Sequence, residues 1–147
     1  MEIESKFFGR QVIAEDDIYH FTAGIPGFCE ETKFVLFPLV NTPLFVLQSI
    51  QTKEVAFIMT EPFIFFRDYE FELAEEEKDY LQIKEKQSGI TVYVILNVKE
   101  PFTKTTANLQ APVIINETAK LGKQIILTNN DYCTKHLLIP AAVKGEK

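Results

Sequence analysis

The chain has 147 residues, a formal net charge of −6 and an isoelectric point near 5.0. An acidic chain with only two arginines argues against a surface that follows nucleic-acid phosphates. The sequence starts without the basic and apolar pattern of a signal peptide, and no apolar run approaches the ~20 residues of a membrane helix. We therefore expect a cytoplasmic protein with no membrane or nucleic acid among its direct partners. One domain is expected over residues 1–140, followed by a flexible tail over residues 141–147.

Hydrophobic periodicity predicts the first elements of a β domain. Residues 2–14 read as a hairpin that turns at Gly9, and Gly24 and Gly27 enclose a tight bend after which Phe28 would plug the core. Residues 33–40 resemble a strand that Pro38 restricts to an edge or a bulge. Residues 44–49 and 55–60 predict two more antiparallel strands.

The strongest strand signal lies in residues 90–99, where apolar and polar side chains alternate except at Ile95. One face of this strand should be buried and the other wet, and the buried face would consist of Ile90, Val92, Val94, Leu96 and Val98. Residues 107–115 read as its partner, with Pro112 at a bulge or edge position.

Further strands are predicted at residues 69–73 and 124–128, and residues 132–138 read as a last strand or an extended tail. A short helix is predicted near residues 74–81, with acidic residues in its first turn. The fold class that follows is all-β with minor α. The expected architecture is an antiparallel β-barrel-like or sandwich single domain.

Negative charge is concentrated in one segment, because residues 67–79 carry a balance of −5 whereas residues 99–147 carry +3. One interpretation is a solvated edge and a helix start that follows the helix dipole. The other is a docking surface for a basic protein. We call its acidic residues the acidic strip: Asp68, Glu70, Glu72, Glu75, Glu76, Glu77 and Asp79.

Motifs of catalysis and metal binding are missing from the sequence. No nucleophile elbow, Walker loop, dinucleotide fingerprint or zinc-protease motif occurs. His20 and His136 are interpreted as hydrogen-bonded structural residues, and Cys29 and Cys133 as reduced thiols that form no metal-ligand cluster. We therefore predict no catalytic residue, no metal and no cofactor.

Several blocks of the chain, in order and at matching spacing, resemble the FliW family of flagellar assembly factors. The similarity covers residues 2–138. The blocks are Gly24-Ile25-Pro26-Gly27-Phe28, Leu47-Gln48-Ser49, Tyr69-Glu70-Phe71, Thr106-Ala107-Asn108-Leu109-Gln110-Ala111-Pro112-Val113-Ile114-Ile115-Asn116 and Gly122-Lys123-Gln124.

The resemblance implies a non-enzymatic cytoplasmic protein that binds newly made flagellin. It also implies that the flagellin-free protein binds the translational repressor CsrA, a basic RNA-binding dimer, and relieves repression of flagellin messenger RNA. We expect a monomer and assign the acidic strip to CsrA. For flagellin, whose terminal segments are amphipathic helices, the candidates are Phe65, Phe66 and Phe102. Phe102 could equally be a corner plug beside Pro101.

The alternative class is a β-barrel enzyme or small-ligand carrier that acts in its interior. A roomy polar cavity inside the barrel would favour this class. The aliphatic and phenylalanine-rich strands instead predict a filled interior.

Overall fold

The computed structural model describes residues 1–84, 89–128 and 132–139, so the predicted tail over residues 141–147 lies outside the described residues. These ranges form one α-helix, α1, at Glu75–Tyr80, and three 3₁₀ turns at Glu15–Asp17, Pro62–Ile64 and Phe102–Lys104. The strands are β1 Glu2–Ser5, β2 Gly9–Val12, β3 Tyr19–His20, β4 Lys33–Pro38, β5 Leu44–Ser49, β6 Ala56–Thr60, β7 Ile90–Asn97, β8 Thr106–Ala107, β9 Val113–Asn116, β10 Leu121–Gln124 and β11 His136–Leu137.

Seven strands close into a barrel in the order β7, β6, β5, β4, β3, β10, β9 and back to β7. The pairs are antiparallel except for β3 and β10, which run parallel through Leu121 and His20. β8 and β11 extend the sheet from β7, and β1 and β2 form a separate hairpin. The prediction of an antiparallel barrel-like domain with one short helix is confirmed.

Apolar side chains from the barrel strands fill its interior. Directly paired residues share a face, so the register of the strands sends one set of side chains inward. The buried members of this interior cluster are Tyr19, Phe21, Ile25, Phe34, Leu47, Met59, Tyr93, Val113 and Ile115. The predicted filled interior is therefore present.

The prediction of a wet face on the strand at residues 90–99 is wrong. Tyr93 on the expected polar face is buried in the barrel interior, whereas Val94 and Leu96 belong to a second cluster. Val98 is exposed and lies beyond the end of β7. The strand is buried on both faces because the barrel lies on one side and an outer layer of chain covers the other.

That outer layer contains α1 and the chain around it. Its buried core consists of Tyr69, Leu81, Val94, Leu96, Ala107, Leu109, Ile114, Ile125, Leu127 and Leu138. Elsewhere, the β1–β2 hairpin covers Val35 of β4 with its own small cluster. The barrel is therefore wrapped by chain on at least two sides.

Two predicted strands differ from the structure. Residues 69–73 alternate in burial, with Tyr69 buried and Glu70 and Glu72 exposed, but form no strand and pair with none among the described residues. The strand expected at residues 124–128 is displaced, because β10 is Leu121–Gln124 and so begins three residues and ends four residues earlier. In both segments the alternation of apolar residues reported burial correctly, but it carries no information about hydrogen-bonded neighbours.

Smaller corrections concern Phe28 and Pro38. The bend at Gly24 and Gly27 is present, with positive φ at both glycines, but Ile25 occupies the core and Phe28 is exposed. Strand β4 lies between β3 and β5 rather than at an edge, and Pro38 is its last residue. Pro38 is tolerated because β3 pairs only with the first two residues of β4, so no donor is required there.

Candidate functional site

The acidic strip crosses the outer layer along the segment before α1 and the helix itself. Six of its carboxylates belong to exposed residues, and Glu77 is half-buried. In the part of the chain that the structure describes, Glu75 and Glu77 are the strip members that form ion pairs. The strip is therefore a surface of carboxylates rather than a set of internal salt bridges.

Glu77 fastens α1 to the barrel. Its Oε1 lies 2.5 Å from Nζ of Lys123 in β10, and the same ammonium group lies 4.6 Å from the ring centroid of Tyr80. The Tyr80 hydroxyl in turn hydrogen-bonds the hydroxyl of Thr22. Glu77 therefore serves packing, unlike the pair of Lys78 and Glu75, which is exposed.

The end of α1 is anchored by a fully buried side chain, Leu81. The Nδ2 group of Asn116 in β9 donates hydrogen bonds to the main-chain oxygens of Leu81 and Gln82, at 2.7 and 3.4 Å. The helix therefore carries its carboxylates on a fixed frame.

Tyr69 anchors the part of the strip before α1. Its ring packs edge-on against Tyr132 at 4.8 Å between centroids, and its hydroxyl donates a 2.7 Å hydrogen bond to the main-chain oxygen of Leu109. Burial, with a smaller contribution from Tyr132, raises the pKa of Tyr69 well above its ordinary value. The neutral hydroxyl is thus held as a hydrogen-bond donor.

Aromatic side chains surround a cleft of about 300 Å³ beside Tyr69. Phe66 and Tyr132 lie on its walls, and the ring of each is 6.2 Å from that of His136. His136 Nε2 accepts a 2.9 Å hydrogen bond from the Cys133 N–H, so His136 has the structural role that we predicted.

The three phenylalanine candidates occupy different settings. Phe65 and Phe66 are partly buried against the outer core, whereas Phe102 is 38% exposed in its 3₁₀ turn and is no buried plug. The described residues show no ring contact that joins Phe102 to the other two.

The neighbouring Phe63 and Ile64 are more exposed than any of these candidates, at 46% and 57%. The signal for this exposure was Pro62. A proline favours the first position of a helical turn, and this turn directs the next two side chains outward.

A second cleft, of about 470 Å³, lies beside the acidic strip. Its walls are formed by Glu70, Phe71 and Glu72 on one chain segment and by Leu127 and Thr128 on another.

In the described ranges, no three His, Cys, Asp or Glu side chains come together in a way that could hold a metal ion. None of the helices in those ranges has the length and apolar character that are needed to cross a membrane.

Comparisons with known proteins agree with this fold. The family model described as FliW protein matches residues 2–138. The flagellar assembly factor FliW of Geobacillus sp. (strain WCH70) is 51% identical over 143 residues, which cover 97% of this chain and 99% of the relative. FliW of Bacillus subtilis (strain 168) is 44% identical over 137 residues, which cover 92% of this chain and 95% of the relative. A crystal structure of the flagellar assembly factor FliW has a TM-score of 0.90 at 48% identity, with 95% of this chain and 98% of that chain covered. The chain therefore belongs to the FliW family of flagellar assembly factors.

Proposed function

We propose that this protein is a non-enzymatic cytoplasmic binding protein that alternates between two partners. It binds flagellin in the manner of a chaperone, and when free of flagellin it binds CsrA and relieves repression of flagellin messenger RNA. The filled barrel interior supports a protein that acts through its outer surface rather than through an internal pocket.

The observation that carries the CsrA part of this proposal is the exposure of the acidic strip. Within the described ranges, Asp68, Glu70, Glu72, Glu76 and Asp79 form no ion pair, so their charge remains available to a basic protein. Such a surface attracts a positively charged partner over roughly a Debye length, ~8–10 Å at physiological salt. The same carboxylates would repel messenger phosphates from a CsrA dimer that carries this protein, because like charges repel.

The test is a charge reversal in α1. Glu75→Lys combined with Glu76→Lys should weaken CsrA binding by about tenfold or more and leave flagellin binding unchanged, as measured by isothermal titration calorimetry. Both residues are exposed, and Glu75 forms only a surface ion pair, so the fold should tolerate the change.

A matched control variant distinguishes an effect of the acidic strip from an effect of the protein's total charge. Glu15→Lys with Asp16→Lys changes the total charge by the same amount in an exposed 3₁₀ turn outside the strip. This variant should bind CsrA like the wild type at moderate salt. An unchanged CsrA affinity in the α1 variant, or an equal loss in both variants, would contradict the assignment of the acidic strip.

A further inference from the structure

The chain contains two segments with the sequence of strands and the alternating burial of strands, yet each has main-chain groups without a partner in the described residues. The first is residues 70–73. Glu70 N–H donates to the Tyr132 hydroxyl at 3.1 Å, and this hydroxyl donates back to the Glu70 oxygen at 3.2 Å, so one side chain stands where a neighbouring strand would be. Across residues 1–84, 89–128 and 132–139, the main-chain groups of Phe71 and Glu72 make no hydrogen bond.

The second segment follows β10. The Ile125 N–H bonds the Pro112 oxygen at 2.9 Å and the Leu127 N–H bonds the Gln110 oxygen at 2.8 Å, so one edge of residues 125–128 is occupied. Adjacent residues of an extended chain point their main-chain groups in opposite directions. The N–H and C=O groups of Ile126 and Thr128 therefore point away from that edge, and they have no partner in the described part of the chain.

These two open edges belong to the walls of one cleft, the 470 Å³ cleft between residues 70–72 and residues 127–128. Its volume lies within the ~300–1,000 Å³ range of ligand sites in proteins. Main-chain donors and acceptors at an open strand edge are the groups that an added strand uses. The cleft therefore offers, on both of its walls, main-chain groups that a further strand could use.

The charges at the rim indicate which chain could enter. Glu70 and Glu72 are exposed, unpaired in the described residues and two positions apart, about 6.6 Å along an extended chain. Opposite charges on directly facing residues of neighbouring strands stabilise their pairing. Phe71 and Leu127 provide apolar wall between the charges. The complementary segment alternates basic residues with apolar ones.

We propose that this cleft binds an extended, basic segment of a protein partner by strand addition, using the main-chain groups of Glu72 and Thr128. The inference rests on the proposed function in one respect, because the basic partner of the acidic strip supplies the segment. It adds that the contact is made through main-chain hydrogen bonds as well as through charge.

Hydrogen exchange on the whole chain tests this proposal without any mutation. With CsrA bound, the amides of Glu72 and Thr128 should exchange at least tenfold more slowly, whereas the amide of Val40 in the turn between β4 and β5 should not change. If these amides already exchange slowly without CsrA, and exchange more slowly still at higher protein concentration, the occupant is a second copy of this chain. That result would overturn the proposal.

Two substitutions at position 72 distinguish the contribution of the main-chain N–H to CsrA affinity from the contribution of the carboxylate. Glu72→Gln removes the carboxylate and keeps the N–H, whereas Glu72→Pro removes both and retains an extended backbone. Glu72→Pro should bind CsrA about tenfold more weakly than Glu72→Gln, since one main-chain hydrogen bond is lost. Equal affinity of the two variants, together with unchanged exchange in the wild type, would overturn strand addition and leave the proposed function intact.

Complete absence of CsrA binding would instead refute the proposed function. In that case an eight-residue peptide of alternating lysine and valine replaces CsrA, with a peptide of alternating glutamate and valine as control. Slower exchange at Glu72 and Thr128 with the lysine peptide alone supports the proposal, and no slowing with either peptide overturns it.

Discussion

Asn116 Nδ2 donates a 2.7 Å hydrogen bond to the main-chain oxygen of Leu81, and both residues are completely buried. The Oδ1 atom of Asn116 accepts hydrogen bonds from the N–H groups of Thr118 and Ala119, each at 3.1 Å. One amide side chain in the barrel wall therefore satisfies the last turn of α1 and the loop after β9. Loss of this amide would leave the buried main-chain oxygen of Leu81 without this partner and would release the partly buried N–H groups of Thr118 and Ala119.

Asn116→Ala should consequently lower the free energy of unfolding by about 2 kcal/mol, because a buried carbonyl oxygen that loses its hydrogen-bond donor is costly. Urea denaturation measures the change. Asn97→Ala at the exposed end of β7 is the matched control and should cost about 0.5 kcal/mol or less. Similar losses in the two variants would show that the hydrogen bonds of Asn116 contribute little.

The ion pair of Glu77 and Lys123 should contribute more than the surface pair of Glu75 and Lys78. Its side chains are 23% and 25% exposed, whereas those of the surface pair are 85% and 43% exposed. A double-mutant cycle with Glu77→Gln and Lys123→Gln should give a coupling free energy of about 1 kcal/mol. The corresponding cycle for the surface pair should give less than about 0.5 kcal/mol. Equal couplings would mean that solvent screens both pairs alike.

Gly122→Ala should strongly destabilise the barrel, because an added Cβ would overlap the buried ring of Phe21. Overpacking of this kind costs about 3 kcal/mol. At Gly9 a Cβ would meet no atom within 4 Å, so Gly9→Ala should cost only about 1 kcal/mol for its φ of +69°. Thermal unfolding of both variants checks the difference. A Gly122→Ala protein as stable as Gly9→Ala would show that the ring of Phe21 can move aside.

Stability should decrease as the pH rises above about 10, where tyrosines of the unfolded chain begin to ionise. Burial raises the pKa values of Tyr69 and Tyr93, so the folded protein retains protons that the unfolded chain releases. Protons held more tightly by the folded state mean that the free energy of unfolding falls with increasing pH.

The contribution of Tyr69 to this pH dependence is tested by measuring the free energy of unfolding of Tyr69→Phe at pH 7 and pH 11. The variant should be less stable at pH 7 by about 1 kcal/mol, because it lacks the hydrogen bond to Leu109, but it should lose less stability between the two pH values. Tyr93 should account for part of the remaining decrease. An identical decrease in the variant and the wild type would exclude Tyr69 as a source.

Phe102→Ala should weaken binding of a flagellin terminal peptide by about tenfold if Phe102 lines the groove. Because the residue is 38% exposed, the stability cost should be small, and a calorimetric titration can be interpreted directly. Val40→Ala, at a position 81% exposed, controls for loss of an apolar surface side chain. Full affinity with full stability would remove Phe102 from the flagellin site.

The local part of the fold was predictable because the periodicity of apolar residues along the sequence indicates which side chains are buried. The meander of β4, β5 and β6 and the helix at α1 followed from it directly. Closure of the barrel depends on pairs that are distant in sequence, such as Leu121 with His20, and no local pattern encodes them. The need for glycine at position 122 was hidden for the same reason, since its missing side chain leaves room for the ring of Phe21, which is distant in sequence.

The site was predictable in its charge but not in its contacts. The carboxylates of the acidic strip are exposed, as the run of acidic residues indicated. The sequence did not show that Glu77 would pair with Lys123, because that contact joins the helix to a strand 46 residues away. The open strand edges at residues 70–73 and 125–128 were equally hidden, since a strand pattern predicts alternating burial and leaves the partner unspecified.

The parallel pairing of β3 with β10 sets the order in which this chain can mature. Tyr19–His20 is the first of the seven barrel strands in the sequence and its neighbour Leu121–Gln124 is the last, so the barrel closes only when these two strands meet. Until then, the interior-facing phenylalanines of the first strands have no enclosed space to occupy. Closure of the interior therefore depends on the pair of barrel strands that is most distant in sequence, which should make it a late step of folding.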